Sequence, residues 1–289
     1  MSNRLKTIEL FLALGLATTV GSQALPTNAQ DSNSLTGASL LMAQGAEGGE
    51  GHSGTSHGGE SGGESGGESG GEGGEGATGS GNPEVDYMTT LGLMKGHLMA
   101  AEELIALKNY EEAEPHIAHP VDELYSQIET VLPEKGVKDF KPTLNQLRDL
   151  ATSAPESPEM KTLFEQSVSS IDAAIAAVPE EQRNSPEFVM DVIVEMLKTA
   201  ATEYEAAIAD NKFVEVVEYQ DSRGFVLYSE ELYNSIAEQK SQADPEGHKT
   251  ITDSMTALKT AWPSIDPPAT PIKTPSEVYS LVSQIEFNK

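Results

Sequence analysis

Three histidines of this 289-residue sequence are spaced in a way that could bind a metal ion. They are His97, His116 and His119, and neutral imidazole is a common ligand for zinc, copper, iron and nickel. His116 and His119 are three residues apart, so one helical turn would direct both rings to the same side. Pro115 and Pro120 bracket this pair, and the segment is also compatible with a turn in which His119 precedes a new helix.

His97 lies beside a row of small residues on a predicted helix. Gly92, Gly96 and Ala100 recur every four residues, which would let a second helix approach closely. His97 borders this row, so we expect its ring to point between helices. Four nearby carboxylates could add oxygen ligands: Glu102, Glu103, Asp122 and Glu123. The predicted metal ligands are His97, His116, His119, Glu102 and Asp122, with a divalent metal or iron as the cofactor. The alternative is a set of structural histidines that cap helices or form hydrogen bonds.

A second polar segment, 218–225, contains residues that could bind a small ligand. Tyr219 and Arg223 are four residues apart and would share a helix face. Asp221 between them could orient Arg223 or ligate a metal. We predict that Tyr219, Asp221 and Arg223 bind an anion or a carboxylate through the guanidinium group. The alternative is an internal ion pair that joins two helices.

The elements that must position these residues read as helices throughout. Apolar residues recur with the helical period, and no segment alternates convincingly as a strand would. Proline repeatedly follows a capping residue, which is typical of a helix start. We therefore predict an all-α fold. The five predicted starts are Asn82-Pro83, Ser157-Pro158, Ser185-Pro186, Asp244-Pro245 and Thr274-Pro275; Thr274 and Glu277 also fit a capping box.

The helical part of the chain contains an apparent duplication. Leu93-Met94-Lys95 aligns with Met196-Leu197-Lys198, and Glu123-Leu124-Tyr125 aligns with Glu231-Leu232-Tyr233 after a short insertion. We predict two antiparallel helical bundles as pseudo-repeats. If the two repeats face each other, the three histidines oppose Tyr219, Asp221 and Arg223 across one cleft. The predicted boundaries are about 84–178 and 186–262, followed by a C-terminal extension over 263–289.

The first 82 residues are predicted to lie outside the folded domain 83–289. Residues 1–29 have a basic start, a short apolar run and small-residue cleavage sites, which together indicate a signal peptide. Residues 30–82 include repeats of Ser-Gly-Gly-Glu, for example at Ser61–Glu64, and are predicted to form a disordered linker rich in Gly, Glu and Ser. These features predict a periplasmic or secreted protein.

Composition excludes several classes of function. The formal net charge is −28, which repels phosphate backbones and so argues against nucleic-acid binding. The chain has no cysteine, so disulfides, thiolate metal sites and cysteine nucleophiles are excluded. After signal cleavage no segment is long and apolar enough to cross a membrane. No catalytic motif stands out, so an enzymatic function is not favoured.

The export signal, the duplicated bundle and Gly96-His97 resemble imelysin-like periplasmic proteins. This resemblance implies a helical fold, an association with iron uptake and metal binding. The family's His-x-x-Glu motif would place Glu at position 100, where this chain has Ala100, so His97 alone carries over. The chain also resembles uncharacterised bacterial exported proteins with two helical repeats, which implies no activity. That likeness rests on 96–99, 115–120 and 219–225.

Two functions are compatible with the sequence. The first is an exported protein that binds a metal ion, in iron uptake or metal delivery, through the histidines and the surrounding acidic charge. The second is a non-enzymatic module that recognises a protein or small ligand in the cleft between the repeats, where Tyr219 and Arg223 would make the contacts. The expected partner is a metal ion in the first case and an envelope protein or a small molecule in the second.

Overall fold

The described part of the chain is a series of helices, and five of them begin with proline. The computed structural model describes residues 79–289, so the predicted signal peptide 1–29 and most of the predicted linker 30–82 lie outside the described residues. The described part forms one compact unit. Its elements are α1 (Pro83–Ala106), α2 (Tyr110–His119), a π-helical turn (Pro120–Leu124), α3 (Tyr125–Ile128), α4 (Lys141–Ser153), α5 (Pro158–Ala176), α6 (Glu180–Arg183), α7 (Pro186–Ala206), β1 (Ile208–Ala209), β2 (Lys212–Phe213), α8 (Val216–Ala243), α9 (Pro245–Lys259) and α10 (Pro275–Glu286).

The five predicted helix starts are confirmed. Each predicted proline is the first residue of its helix, and the side chain before it accepts a hydrogen bond from the first turn. The capping box is also present, because the Thr274 side chain accepts from Glu277 N and the Glu277 carboxylate accepts from Thr274 N. These local bonds use backbone N–H groups that have no partner inside the helix, which explains why the helices begin where they do.

The predicted all-α class is confirmed, with one small exception. Ile208–Ala209 pairs antiparallel with Lys212–Phe213 in a hairpin that the sequence analysis did not predict. Asp210 and Asn211 form its turn with positive φ values of 50° and 59°. Both residue types tolerate this left-handed conformation, and a two-residue hairpin turn requires it. The hairpin connects α7 to α8.

Helix α1 lies at the centre of the described unit. It packs against α2, α5, α7 and α8, and residues on all its sides are buried. Two sets of four long helices follow each other along the chain, α1, α2, α4 and α5 and then α7 to α10. The predicted bundles do not separate into two compact units, because α1 packs on both α7 and α8. The duplication itself stays a prediction.

Among residues 79–289, no helix combines the length and the apolar character needed to cross a membrane. The core is instead that of a packed bundle, in which the apolar faces of the long helices meet. Large buried side chains at its centre include Leu91, Met94, Tyr125, Tyr204 and Phe225.

Candidate metal centre

Helices α1 and α8 cross with their backbones in contact at two glycines. A Cβ atom placed on Gly224 would lie 2.2 Å from the Gly96 carbonyl oxygen, and one placed on Gly96 would lie 2.6 Å from the Phe225 ring. Any larger residue at either glycine would separate the helices. This close approach was expected from the small residues beside His97, and it brings His97 up to α8.

Asp221 lies one turn before the glycine crossing on α8 and meets His97 directly. The Nδ1 atom of His97 is 2.5 Å from Oδ1 of Asp221. Both residues are fully buried. The Phe225 ring packs edge-on against the His97 ring at a centroid distance of 4.9 Å, which fixes the imidazole from the other side.

Helix α2 brings the other two histidines to the same carboxylate. The Nδ1 atom of His116 is 2.6 Å from Oδ1 of Asp221, and the Nδ1 atom of His119 is 3.2 Å from Oδ2. The segment 115–120 is helical, and the chain continues into a π-helical turn at Pro120. The turn alternative for this segment is therefore wrong, and the two rings share a side as the helical spacing predicts.

Four potential ligands thus converge on one point. His97, His116, His119 and Asp221 each offer a ligand atom, and these atoms all lie within 4.8 Å of one another. Three of the four side chains are inaccessible to solvent, whereas the His119 side chain is 16 % exposed. The Glu123 carboxylate lies 3.9 Å from Nε2 of His119 at this exposed side. His119 and Glu123 therefore mark the side from which an ion could reach the cluster.

The electrostatics of the cluster depend on a buried anion surrounded by imidazoles. Burial by itself raises the pKa of the Asp221 carboxyl, but the charges of His97 and His116 and the hydrogen bonds from His116 and His119 outweigh it and hold this pKa well below its usual range. Asp221 is therefore ionised at neutral pH. A fully buried carboxylate is costly without such partners, and groups of this kind occur often at functional sites.

Further polar residues support the cluster from outside. The Oε1 atom of Gln220 is 2.8 Å from Nε2 of His116, and Nε2 of Gln220 donates to Glu112 over 2.8 Å. The indole of Trp262 donates to the hydroxyl of Ser222, the residue next to Asp221. Gln220 and Glu112 are not among the site residues predicted from the sequence. One local feature could have indicated that Glu112 lies near the cluster: it precedes His116 by four residues and so shares its helix face.

Two of the predicted metal ligands lie outside the cluster. Glu102 is exposed at the surface of α1. It is five residues after His97, so its side chain points about 140° away around the helix. Asp122 is exposed and pairs with Arg148. The wide π-helical turn brings Glu123 rather than Asp122 alongside His119.

The predicted ligand-binding group on α8 is also divided. Asp221 joins the histidines, whereas Tyr219 and Arg223, two residues to either side of it, point about 160° away around the helix. The Tyr219 hydroxyl donates to the Ser264 carbonyl. Arg223 forms a two-point ion pair with Glu103 on α1, with N–O distances of 3.1 and 3.2 Å. Tyr219 and Arg223 therefore bind other parts of the protein, as the ion-pair alternative predicted for Arg223.

Comparison with known proteins finds a likeness for one part of the chain. No curated protein and no solved structure matches the chain. The helical-bundle character implied by the imelysin-like resemblance is supported, while membership of the imelysin-like family stays a prediction. A match to a protein family covers fewer than half of the residues. The matched segment includes the four long helices α7 to α10 and Asp221, but it does not include His97, His116 or His119. It is residues 179–288 that match the family model of an iron permease-associated 4-helix bundle domain.

Proposed function

We propose that this protein binds a transition-metal ion, iron in the first place, through His97, His116, His119 and Asp221. The observation that carries the proposal is the convergence of three imidazoles and one carboxylate, whose ligand atoms lie within 4.8 Å of one another. The similarity of residues 179–288 to an iron permease-associated domain supports iron among the possible metals.

The chemistry of the donor set fits such an ion. Imidazole nitrogens suit iron, zinc, copper and nickel, whereas calcium and magnesium prefer sites made of oxygen ligands alone. Ligand atoms bound tetrahedrally about 2.1 Å from one ion are about 3.4 Å apart. The N–O distances of 2.5 and 2.6 Å to Asp221 are shorter, so His97 and His116 must move slightly away from the carboxylate when an ion enters. Ring N–H groups of His97 and His116 can donate to Asp221 when no ion separates them from it.

The location of the site agrees with a role in capturing or passing on an ion. His119 is the accessible ligand, and Glu123 beside it would attract a cation to that side. The strongly acidic character of the whole chain would also attract cations. We place this function outside the cytoplasm, in the periplasm or the secreted fraction, on the basis of the export signal expected within residues 1–29.

The proposal is tested by metal content. The full-length chain is stripped with chelator, incubated with ferrous iron under anaerobic conditions or with zinc, desalted and analysed for metal. We expect close to one ion per chain for the wild type. The triple variant His97→Ala, His116→Ala, His119→Ala should retain none of this ion. His119→Ala alone, at the exposed edge, should keep the fold and still weaken retention.

Matched controls separate the buried site from adventitious binding. His248→Ala removes a histidine that contacts Tyr233 on a different part of the bundle. The double variant His52→Ala, His57→Ala removes the two histidines of the predicted linker. Both controls should retain metal as the wild type does. The assignment would be overturned if a normally folded His119→Ala variant and the triple variant both retained as much metal as the wild type. It would also be overturned if the wild type retained none.

A further inference from the structure

A line of hydrogen bonds runs from His116 through Gln220 to Glu112. It determines which ring nitrogen of His116 carries a proton. Nε2 of His116 meets Oε1 of Gln220 at 2.8 Å, and the other end of this amide donates to Oε2 of Glu112 at 2.8 Å. Gln220 is completely buried between α2 and α8, so water does not replace either partner. The opposite nitrogen of the ring, Nδ1, faces Asp221.

The polarity of this line follows from Glu112. An ionised carboxylate only accepts hydrogen bonds, so it must face the NH₂ group of Gln220. The amide oxygen of Gln220 must then face His116, and an oxygen can only accept from the ring. Nε2 of His116 therefore carries a hydrogen. The orientation of the amide is set by chemistry, although oxygen and nitrogen have nearly the same size.

From this we infer that Glu112 and Gln220 are positioning residues that hold a proton on Nε2 of His116, so that Nδ1 is the nitrogen that faces Asp221 and would bind the metal ion. The inference rests on the proposed function of the cluster and names residues that the ligand set does not contain. Hydrogen bonding of the non-ligating ring nitrogen orients a histidine ligand and makes it a stronger donor. Glu112 and Gln220 would do both without contacting the ion.

The proton position can be observed without any metal. In the full-length chain labelled with ¹⁵N-histidine, long-range ¹H–¹⁵N spectra distinguish a protonated from an unprotonated Nε2. We expect the His116 signal, identified by its loss in His116→Asn, to show a protonated Nε2 both in the metal-free and in the zinc-loaded protein. Where that variant does not fold, the displacement of the same signal in Gln220→Leu identifies it. An unprotonated Nε2 in the metal-free wild type would overturn the inference.

Metal affinity provides the second measurement, with zinc as the probe. Gln220→Leu removes the acceptor and Glu112→Gln removes the group that orients the amide, so each should weaken binding by about 10- to 100-fold. The exposed neighbour supplies the control, because Glu111→Gln makes the same change of charge one residue away and should leave affinity unchanged.

A swap of the two groups tests positioning against a merely structural role. In the double variant Glu112→Gln, Gln220→Glu the carboxylate accepts from His116 and the new amide donates to that carboxylate, so the line keeps its polarity. We expect affinity to return to within about threefold of the wild type and the Nε2 proton to be retained. A swap as weak as the single variants would overturn the inference. A wild type that binds no zinc would instead contradict the proposed function, while the metal-free spectrum would still decide the position of the proton.

Discussion

Gly224 on α8 lies against the backbone of Gly96 on α1, so that a methyl group at Gly224 would fall 2.2 Å from the Gly96 carbonyl oxygen. This contact joins the helix that carries His97 to the helix that carries Asp221. The geometry of the cluster of three histidines and Asp221 therefore depends on two residues that bear no side chain. The contact also decides which substitutions the centre tolerates.

Gly224→Ala should destabilise the protein and widen the cluster. Alanine favours a helix over glycine by about 1 kcal/mol, but overpacking against a backbone atom that cannot rotate away costs about 1–3 kcal/mol or more. We expect a net loss in the free energy of unfolding, measured with urea, together with weaker zinc binding. Ser235→Ala, at an exposed position of the same helix, should change stability by less than about 0.5 kcal/mol. A Gly224→Ala protein as stable as the wild type would contradict the close crossing.

Asp221→Asn should weaken both the fold and metal retention. The substitution keeps the shape of the side chain but removes the buried anion to which three imidazoles turn. Breaking a buried charged group of this kind costs about 3–5 kcal/mol. Urea denaturation of the metal-free protein measures this loss, and metal analysis measures retention. Asp253→Asn removes an exposed carboxylate paired with Lys249 and should have almost no effect on either quantity.

Metal loading should raise the melting temperature. An ion present at 100 times its dissociation constant stabilises the folded state by about 2.7 kcal/mol, which corresponds to roughly 5–10 °C for a domain of this size. Differential scanning calorimetry with and without zinc should show this shift, and a chelator should reverse it. In the triple histidine variant the two melting temperatures should coincide. A shift of equal size in that variant would place the ion elsewhere.

The bond between Tyr125 and Asp139 should make part of the stability dependent on pH. Burial raises the pKa of Tyr125 to about 12, and its hydroxyl donates to Asp139 Oδ1 over 2.5 Å. This bond lowers the pKa of Asp139 below its usual value of 3.8, so the stabilisation is present above about pH 4 and is lost as the pH falls through the lowered value. Tyr125→Phe should therefore cost about 1–2 kcal/mol at pH 7 and less at pH 3, which is below the usual Asp pKa of 3.8.

The control for this pH effect is Tyr110→Phe. The structure shows no hydrogen bond from the Tyr110 hydroxyl to the residues described, so its removal should change stability little at either pH. Urea denaturation at pH 7 and pH 3 compares each variant with the wild type at the same pH. A penalty for Tyr125→Phe that does not fall with pH would show that Asp139 is not the source of the stabilisation.

The sequence predicted the parts of this structure that are local. Helix starts such as Ser157-Pro158 follow from one capping side chain and one proline, and the structure contains them. The placement of His97 between helices follows from the small residues at Gly92 and Gly96 on the same helix. In each case the physical cause lies within a few residues of the effect.

The parts that failed depend on contacts between distant segments or on an irregular turn. Nothing local distinguishes Asp221 from the other carboxylates of so acidic a chain. The sequence groups it with Tyr219 and Arg223, and its alternative role as a metal ligand opposite the histidines follows only if the two predicted repeats face each other. Asp122 is three residues after His119 and would share its face in a regular α-helix. The π-helical turn that begins at Pro120 breaks this spacing, and a five-residue π segment has no reliable signature in the sequence.

The distance along the chain between the imidazoles and their carboxylate has a consequence for assembly. Asp221 is 124 residues from His97 and 105 residues from His116. Contacts of such separation form late in folding, because a long loop must close before they bring any stabilisation. All three histidines leave the ribosome well before α8 has been synthesised. The nascent chain therefore carries imidazoles without their anion, and the complete cluster of three histidines and Asp221 exists only once the second half of the polypeptide has docked on the first.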